Sequence, residues 1–203
     1  MDRLEEMTYF VTKIYAIEKP EFLDKVRAVS DANQLMVDDP TKRTIMTGDF
    51  STDPAVADFA AYVSQTAWNI LSSQGYAMDQ LVTYFTEMWT QVHRKFSYME
   101  THLHPRGAQI SAFYFLSVPA DGCKVVIHDP RPTKAMISLF PKDEKVISEA
   151  SDQIVLTPRD GMLIFTPSWL PHSFSQNESD EPMIFVHMNL AVSLAPQPEV
   201  EVI

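Results

Sequence analysis

The sequence predicts a mainly β protein, an antiparallel sandwich or barrel with α-helices packed on its outside. Three observations lead to this fold class. Short runs of β-branched and aromatic residues fill the second half of the chain. Prolines and turn motifs separate these runs, and the first half shows helical periodicity. The 203 residues are enough for one domain with a substantial core, so we expect a single domain over residues 1–203.

The strongest helical pattern covers residues 53–74. Asp53 can cap the first turn, Pro54 suits the first helical position, and Gly75 provides a stop. A shorter helix is predicted after Pro20. Apolar residues recur along one face of the longer helix at helical spacing; they are Val56, Phe59, Ala60, Val63, Ala67, Ile70 and Leu71.

Strand signals dominate the stretch between residues 105 and 182, which contains nine of the fourteen prolines. Many short strands with regular interruptions are typical of an antiparallel sandwich or barrel. One more strand is predicted near the start of the chain, in YFVTKIYAI. The runs of strand length in the second half are QISAFYFLSV, KVVIHD, AMISLF, QIVLT, MLIFT, HSFSQ and MIFVHMNLAV.

Composition limits the partners and the location that we expect. The chain has 16 Lys and Arg residues against 27 Asp and Glu, a net charge of −11. A surface this acidic repels phosphate backbones and anionic lipid, so neither nucleic acid nor a membrane is an expected partner. The opening MDRLEEMTYF lacks the basic and apolar regions of a secretory signal. The single cysteine, Cys123, suits a reducing compartment, and we expect a cytoplasmic protein.

A His-x-His pair in THLHPRG suggests a metal site. Side chains two residues apart on a strand project to the same face, about 6.6 Å apart, so His102 and His104 could lean onto one ion. Pro105 favours an extended backbone at His104. His172, after the predicted strand MLIFT, is the best third ligand, and three protein ligands leave positions open for chemistry. The residues alone are equally compatible with incidental surface or core histidines.

Several segments resemble, in order, a group of small 2-oxoglutarate/iron(II)-dependent oxygenases of bacteria and their viruses. The resemblance covers roughly residues 85–190. It implies a double-stranded β-helix, or jelly roll, with its core in residues 81–195, while residues 1–80 contribute a strand and helices on the outside. The segments are MWTQVHRKFSYMETHLHPRGAQISAFYFLSVP, VVIHDPRP, PRDGMLIFTPSWLPHSFSQNESDEP and MNL.

The resemblance also implies the cofactors and the metal ligands. It implies that His102, His104 and His172 hold Fe(II), with His104 where a carboxylate usually stands in this class. Asp129 is a reserve ligand. The implied co-substrate, 2-oxoglutarate, would chelate the iron and be converted to succinate while a small-molecule or peptide substrate is hydroxylated.

One departure from the family pattern concerns 2-oxoglutarate. The family commonly has an arginine at the start of the last barrel strand, but residues 181–184 read EPMI. A buried dicarboxylate needs a cationic partner, and Arg131 is our substitute, with a surface pair between Arg131 and Asp129 as the alternative. Tyr114 could offer its hydroxyl to the co-substrate, or it could be a core aromatic residue.

Two other functions stay open at this stage. The first is a three-histidine, cupin-type metal oxygenase, which would need no 2-oxoglutarate. The second is a non-enzymatic jelly-roll module with a binding or structural role. His93, His128 and His187 are expected to be hydrogen-bonded or exposed histidines and not ligands. The sequence does not fix the oligomeric state, for which a homodimer is the alternative to a monomer.

Overall fold

Two antiparallel sheets form the framework of the protein. The computed structural model describes residues 4–104 and 107–196, and within these ranges ten strands are formed. The strands are β1 (Tyr15–Glu18), β2 (Thr44–Met46), β3 (Leu81–His93), β4 (Met99–His102), β5 (Ile110–Ser117), β6 (Val125–His128), β7 (Gln153–Leu156), β8 (Met162–Pro167), β9 (His172–Phe174) and β10 (Met183–Leu194).

The larger sheet has the strand order β1-β8-β5-β10-β3-β2, and the smaller has β4-β9-β6-β7. All pairings are antiparallel. Apolar side chains from both sheets meet in one buried cluster, so the sheets pack face to face and enclose an interior. This arrangement confirms the predicted jelly roll, mainly β with helices on the outside.

Strand β5 divides the apolar residues of the protein between two cores. Ala112, Tyr114 and Leu116 belong to the core between the larger sheet and the helices. Phe113 and Phe115, on the opposite face, belong to the core between the two sheets. Because successive side chains of a strand point to opposite faces, a strand that is buried on both sides reads as the continuous apolar run seen in the sequence.

The two α-helices are α1 (Leu23–Leu35) and α2 (Ala57–Ser73). A carboxylate oxygen of Asp53 accepts a hydrogen bond of 2.9 Å from the backbone N–H of Ala55, which confirms the predicted cap. Pro54 begins a 3-10 turn that leads into α2. After α2, Gly75 has a φ of +95°, a left-handed conformation that glycine adopts easily.

No helix in the described ranges has the length and apolarity needed to cross a membrane.

The strand predictions succeeded unevenly. Within YFVTKIYAI only the last residues pair, as part of β1. The predicted strand AMISLF is wrong: a 3-10 turn covers Pro132–Met136, and no strand follows until β7. Leu139 and Phe140 in this run are 82% and 90% exposed, so a strand here would gain no stability from packing of these side chains. The long β3 is not among the strands predicted above, although its Thr-rich and aromatic sequence is typical of a strand.

We expect Phe59 to be essential for attaching α2 to the sheet. Its ring is fully buried and lies 5.4 Å from the ring of Phe22 and 4.9 Å from that of Tyr114. Phe59→Ala should lower the free energy of unfolding by about 3–5 kcal/mol, because it removes buried area and leaves a cavity. Urea unfolding measures this. Phe140→Ala is the matched control and should change stability by less than about 0.5 kcal/mol; equal losses in the two variants would contradict the packing described.

Candidate metal centre

Three histidines meet at one end of the interior between the sheets. Each offers one ring nitrogen, and these nitrogens all lie within 4.8 Å of one another. His102 ends β4 and His172 begins β9; the two residues stand opposite each other in the antiparallel pair. His104 follows two residues after His102, and its backbone N–H donates a 2.9 Å hydrogen bond to the carbonyl of Ser168. The three histidines singled out in the sequence are therefore neighbours.

Backbone carbonyls select the tautomer of two of these rings. The Nδ1 atom of His102 lies 2.7 Å from the carbonyl oxygen of Glu100, and the Nδ1 atom of His172 lies 2.9 Å from that of Leu170. A carbonyl can only accept, so Nδ1 of each ring donates. The Nε2 atoms then carry lone pairs, as a metal ligand requires.

The spacing of the nitrogens suits a single transition-metal ion. Nε2 of His104 lies 3.3 Å from Nε2 of His172. Two imidazole nitrogens bound to one ion at about 2.0–2.1 Å, with an angle between 90° and 110°, are roughly 2.9–3.4 Å apart. The histidines thus fit a metal without a large rearrangement.

Burial keeps two of the three rings, those of His104 and His172, neutral. Desolvation lowers the pKa of His172 to about 3, and desolvation together with the nearby charge of His102 lowers the pKa of His104 to about 4. A ring that is unprotonated near neutral pH does not have to lose a proton to bind a metal. The electrostatics of this pocket favour metal binding over protonation.

Aromatic side chains surround the histidines. The ring of Phe113 lies 5.2 Å from that of His172, and the stacked rings of Phe174 and Phe185, 4.7 Å apart, are packed in the same apolar cluster. These residues leave little room for bulk water in the interior between the sheets.

His187 was not expected near the metal centre. It lies on β10, 2% exposed, with its Nε2 atom 3.3 Å from Nε2 of His104. The sequence contained one usable signal. Asn189 belongs to the MNL segment of the family pattern, and His187, two residues earlier on the same strand, projects to the same face as Asn189. Asn189 also points to the site: its Oδ1 accepts a 2.9 Å hydrogen bond from the Ser111 hydroxyl, and its Nδ2 lies 3.4 Å from Nδ1 of His104.

Arg131 does not reach the interior. Its guanidinium donates from Nε and Nη2 to the two carboxylate oxygens of Asp129, at 2.9 and 2.7 Å, and its side chain is 62% exposed. The expected role of Arg131 in binding 2-oxoglutarate is therefore corrected to the alternative, a surface pair. The cause is local, because Asp129 is only two residues away.

Asp129 is likewise occupied by cations. Hydrogen bonds from Arg131, and from Lys134 with its ammonium group 3.1 Å away, hold the pKa of Asp129 well below its usual range. Asp129 is not part of the cluster formed by His102, His104 and His172. The structure gives no support to its role as a reserve ligand.

Tyr114 faces away from the histidines. Its hydroxyl donates a 2.7 Å hydrogen bond to the carbonyl of Lys19, and its ring packs against Phe59 in the helix-side core. The alternation of β5 explains the correction, since Phe113 takes the interior face. Tyr114 is a core aromatic residue and not a partner for a co-substrate.

The last strand has apolar residues where the family commonly has a cation. Met183 and Phe185 are fully buried in the apolar cluster between the sheets. No Lys or Arg is among the buried polar residues of ranges 4–104 and 107–196, and Arg106 lies outside these ranges. The described residues therefore fit a metal ion but offer no buried cation for a dicarboxylate.

A fourth buried histidine, His93, lies apart from the cluster. Its ring hydrogen-bonds Gln91 at 2.8 Å and Ser97 at 3.2 Å, and lies 3.6 Å from Sγ of Cys123. Desolvation lowers the pKa of His93 to about 4. His128, by contrast, is half-buried and bonds Ser173 at 2.9 Å and Thr101 at 3.2 Å. These two residues match the expectation of hydrogen-bonded histidines.

Comparison with known proteins identifies the family. The model of the family "Putative 2OG-Fe(II) oxygenase" matches residues 87–189, about half of the chain. The matched range includes the whole histidine cluster and agrees with the range of the resemblance seen in the sequence. No protein with a curated description matches the chain.

Solved structures of similar fold come from several oxygenases. A prolyl-4-hydroxylase of Pseudomonas putida is 11% identical, with a TM-score of 0.63 over 89% of this chain and 92% of that one. The viral collagen prolyl hydroxylase vCPH of Paramecium Bursaria Chlorella virus-1, solved with 2OG, is 13% identical, with a TM-score of 0.58 over 87% and 94%. HygX of Streptomyces hygroscopicus, solved with nickel, 2-oxoglutarate and hygromycin B, is 13% identical, with 0.56 over 89% and 83%. These identities show a shared fold.

Burial of neutral His93 should make the metal-free protein sensitive to acid. Its pKa is lowered from 6.5 to about 4 by folding, so between these pH values the unfolded chain binds a proton that the native chain does not. Above pH 6.5 this group does not change the free energy of unfolding with pH. As the pH falls from 6.5 toward 4, the group lowers the free energy of unfolding by up to about 3 kcal/mol.

Denaturant unfolding at pH 7, 6 and 5, with a chelator present, tests this. The slope of unfolding free energy against pH should be smaller for His93→Phe than for wild type, by at most about 1.4 kcal/mol per pH unit. Identical slopes would contradict a neutral, buried His93.

Proposed function

Because the chain belongs to the 2OG-Fe(II) oxygenase family, we propose that it is an iron(II)-dependent oxygenase whose metal is held by His102, His104 and His172. Iron(II) and 2-oxoglutarate are the cofactors of this family, as the sequence predicted. The observation that carries the proposal is the convergence of the three ring nitrogens within 4.8 Å. We further propose that the reaction is the hydroxylation of a small molecule or a peptide.

Different residues of the chain would orient the metal ligands and exclude water from the metal. The carbonyls of Glu100 and Leu170 keep Nε2 of His102 and His172 unprotonated and aimed at the ion. The aromatic residues around them exclude water, which protects a reactive centre from side reactions. When bound, iron(II) supplies the activation of oxygen. Three protein ligands leave positions on the ion open for other reactants.

A second candidate function has a specific observation in its favour. A three-histidine metal oxygenase that does not use 2-oxoglutarate requires no buried cation. Met183 and Phe185 make the start of the last strand apolar, and Arg131 is paired with Asp129. Family membership favours the first candidate, and the absence of a buried Lys or Arg among residues 4–104 and 107–196 favours the second. The use of 2-oxoglutarate is therefore the question to test.

Removing a ligand should remove the metal. Purified without a histidine tag and loaded with iron(II) under anaerobic conditions, wild type should hold about one iron per chain, while His102→Ala and His172→Ala should lose most of it. Elemental analysis after gel filtration measures the content. His128→Ala is the matched control and should keep its iron, because His128 bonds Ser173 and Thr101 instead. Unchanged iron in the His102 and His172 variants would favour a non-enzymatic module.

The co-substrate can be tested without knowing the substrate. If 2-oxoglutarate is used, its anaerobic addition to the iron(II) protein should produce a weak visible charge-transfer band, and succinate should form in air. Arg131→Ala should leave the affinity for 2-oxoglutarate within about twofold of wild type, since an exposed ion pair contributes little. Neither band nor succinate, with oxygen consumption that ignores 2-oxoglutarate, would select the second candidate.

A further inference from the structure

Asn189 and Glu87 form a polar pair beside the histidine cluster. The two residues stand opposite each other on β10 and β3, and Nδ2 of Asn189 donates a 3.2 Å hydrogen bond to Oε2 of Glu87. Nδ2 of Asn189 also lies 3.4 Å from Nδ1 of His104. The amide of Asn189 therefore contacts the ring nitrogen of His104 that does not face His172.

The orientation of this amide is fixed by its contact with Glu87. An ionised carboxylate only accepts hydrogen bonds, so the NH2 group of Asn189 must face Glu87. On the other side, Oδ1 accepts a 2.9 Å hydrogen bond from Ser111, whose hydroxyl could donate or accept. Because the amide cannot turn over while Glu87 is present, it presents an N–H group and not its oxygen to His104.

The contact with Asn189 determines which nitrogen of His104 carries hydrogen. An N–H donor needs an acceptor, so Nδ1 of His104 has the lone pair, and the one ring hydrogen of the neutral imidazole is on Nε2. Nε2 of His172, 3.3 Å away, has a lone pair to accept it, because Nδ1 of that ring donates to Leu170. Nε2 of His187, also at 3.3 Å, is the alternative acceptor, and either hydrogen bond keeps the hydrogen on Nε2.

His104 thus differs from the other two histidines of the cluster. His102 and His172 donate from Nδ1 to carbonyls, as metal-bound histidines usually do. We propose that Asn189, held by Glu87, is a positioning residue that keeps His104 in the opposite tautomer until a metal binds, an inference that rests on the function proposed above. His104 can bind a metal through Nε2 only after its hydrogen moves to Nδ1, where it meets the N–H group of Asn189.

The pair therefore makes His104 the weakest of the three ligands. Binding through Nε2 breaks the hydrogen bond that His104 donates within the cluster, and it places the N–H groups of His104 and Asn189 against each other. His102 and His172 require no such change, because their Nε2 atoms present lone pairs beforehand. A metal ion would bind these two histidines first and His104 last.

The tautomers can be observed by NMR of the metal-free protein with isotope-labelled histidine. Long-range proton–nitrogen correlations distinguish a protonated ring nitrogen from an unprotonated one, and a His104→Gln variant assigns the signals of His104. We expect the hydrogen of His104 on Nε2 and the hydrogens of His102 and His172 on Nδ1. After addition of zinc(II), the hydrogen of His104 should be on Nδ1. A metal-free His104 with its hydrogen on Nδ1 overturns the proposal.

The affinity for zinc(II) tests the role of Glu87 through the direction of the change. Glu87 is exposed, and Glu87→Gln removes a negative charge near the cluster, which by itself weakens cation binding. The variant also allows the amide of Asn189 to turn over and accept from Nδ1 of His104. We therefore expect zinc(II) to bind about three- to tenfold more tightly than in wild type, the factor that corresponds to one hydrogen bond. Equal or weaker binding in a competition titration overturns the proposal.

A double variant tests Asn189 itself. Glu87→Gln combined with Asn189→Asp places a carboxylate, which only accepts, against Nδ1 of His104. In the metal-free double variant the hydrogen of His104 should be on Nδ1, and a hydrogen that stays on Nε2 contradicts the role of Asn189. Glu178→Gln is the matched control, the same substitution at an exposed glutamate in the loop between β9 and β10. It should keep the tautomers and the zinc(II) affinity of wild type.

Failure of this inference is separable from failure of the proposed function. If wild type binds zinc(II) tightly but its metal-free His104 has the same tautomer as His102 and His172, the three-histidine centre stands and the role of Asn189 is rejected. If wild type binds no zinc(II) while His104 has its hydrogen on Nε2, the metal centre is rejected and the hydrogen bond from Asn189 to His104 is supported.

Discussion

The pairing of β10 with a strand on each side is the constraint on which the rest of the structure depends. β10 is hydrogen-bonded to β3 along Met183–Leu194 and to β5 over most of the same length. Its side chains are thereby divided between two interiors: Val186 and Met188 face the helix-side core, while Phe185 and His187 face the space between the sheets. A register slip of one residue would exchange these two sets. His187 and Asn189 reach His104 only in the observed register.

Burial of the interior between the sheets has two consequences that act together. It lowers the pKa of His104 and His172, so both rings are neutral and available as ligands. It also makes an unpaired nitrogen costly where the ring is fully buried, as it is at His172 and His187. A cluster of neutral imidazoles in such a place is poorly satisfied alone and well satisfied around a cation. The energetics of burial and the chemistry of ligation therefore point the same way.

Much of the fold could be predicted because its signals are local. Asp53, Pro54 and Gly75 mark the ends of one helical stretch by capping and backbone preferences, which need no knowledge of the remaining chain. The His-x-His spacing similarly indicates a shared face on any strand. The choice of His172 as the third histidine needed its place after a predicted strand and gained from the family pattern.

What could not be predicted depends on absolute orientation. A period of two shows that Tyr114 shares a face with Ala112, but it does not show which of the two interiors that face meets. For the same reason, the sequence could not show that His187 faces the interior between the sheets. The prediction for Arg131 failed for another reason, because the nearby Asp129 forms an ion pair with its guanidinium. Whether an arginine forms a local ion pair or reaches a distant pocket is decided by three-dimensional distances. The exposed run after Pro132 has strand-like residues but no neighbour to pair with.

Charge balance gives the histidine cluster a property that a carboxylate-containing site lacks. Three neutral imidazoles contribute no negative charge, so the two positive charges of a bound iron(II) ion stay uncompensated by its ligands. Asp129, the expected reserve ligand, is paired with Arg131 and Lys134. In a partly buried site of reduced dielectric, an uncompensated cation attracts anions strongly. Since no buried Lys or Arg occurs in the described part of the chain, the metal itself is the group that would bind an anionic reactant. Selection among anions would then depend on how each one coordinates, and only secondarily on the protein surface around it.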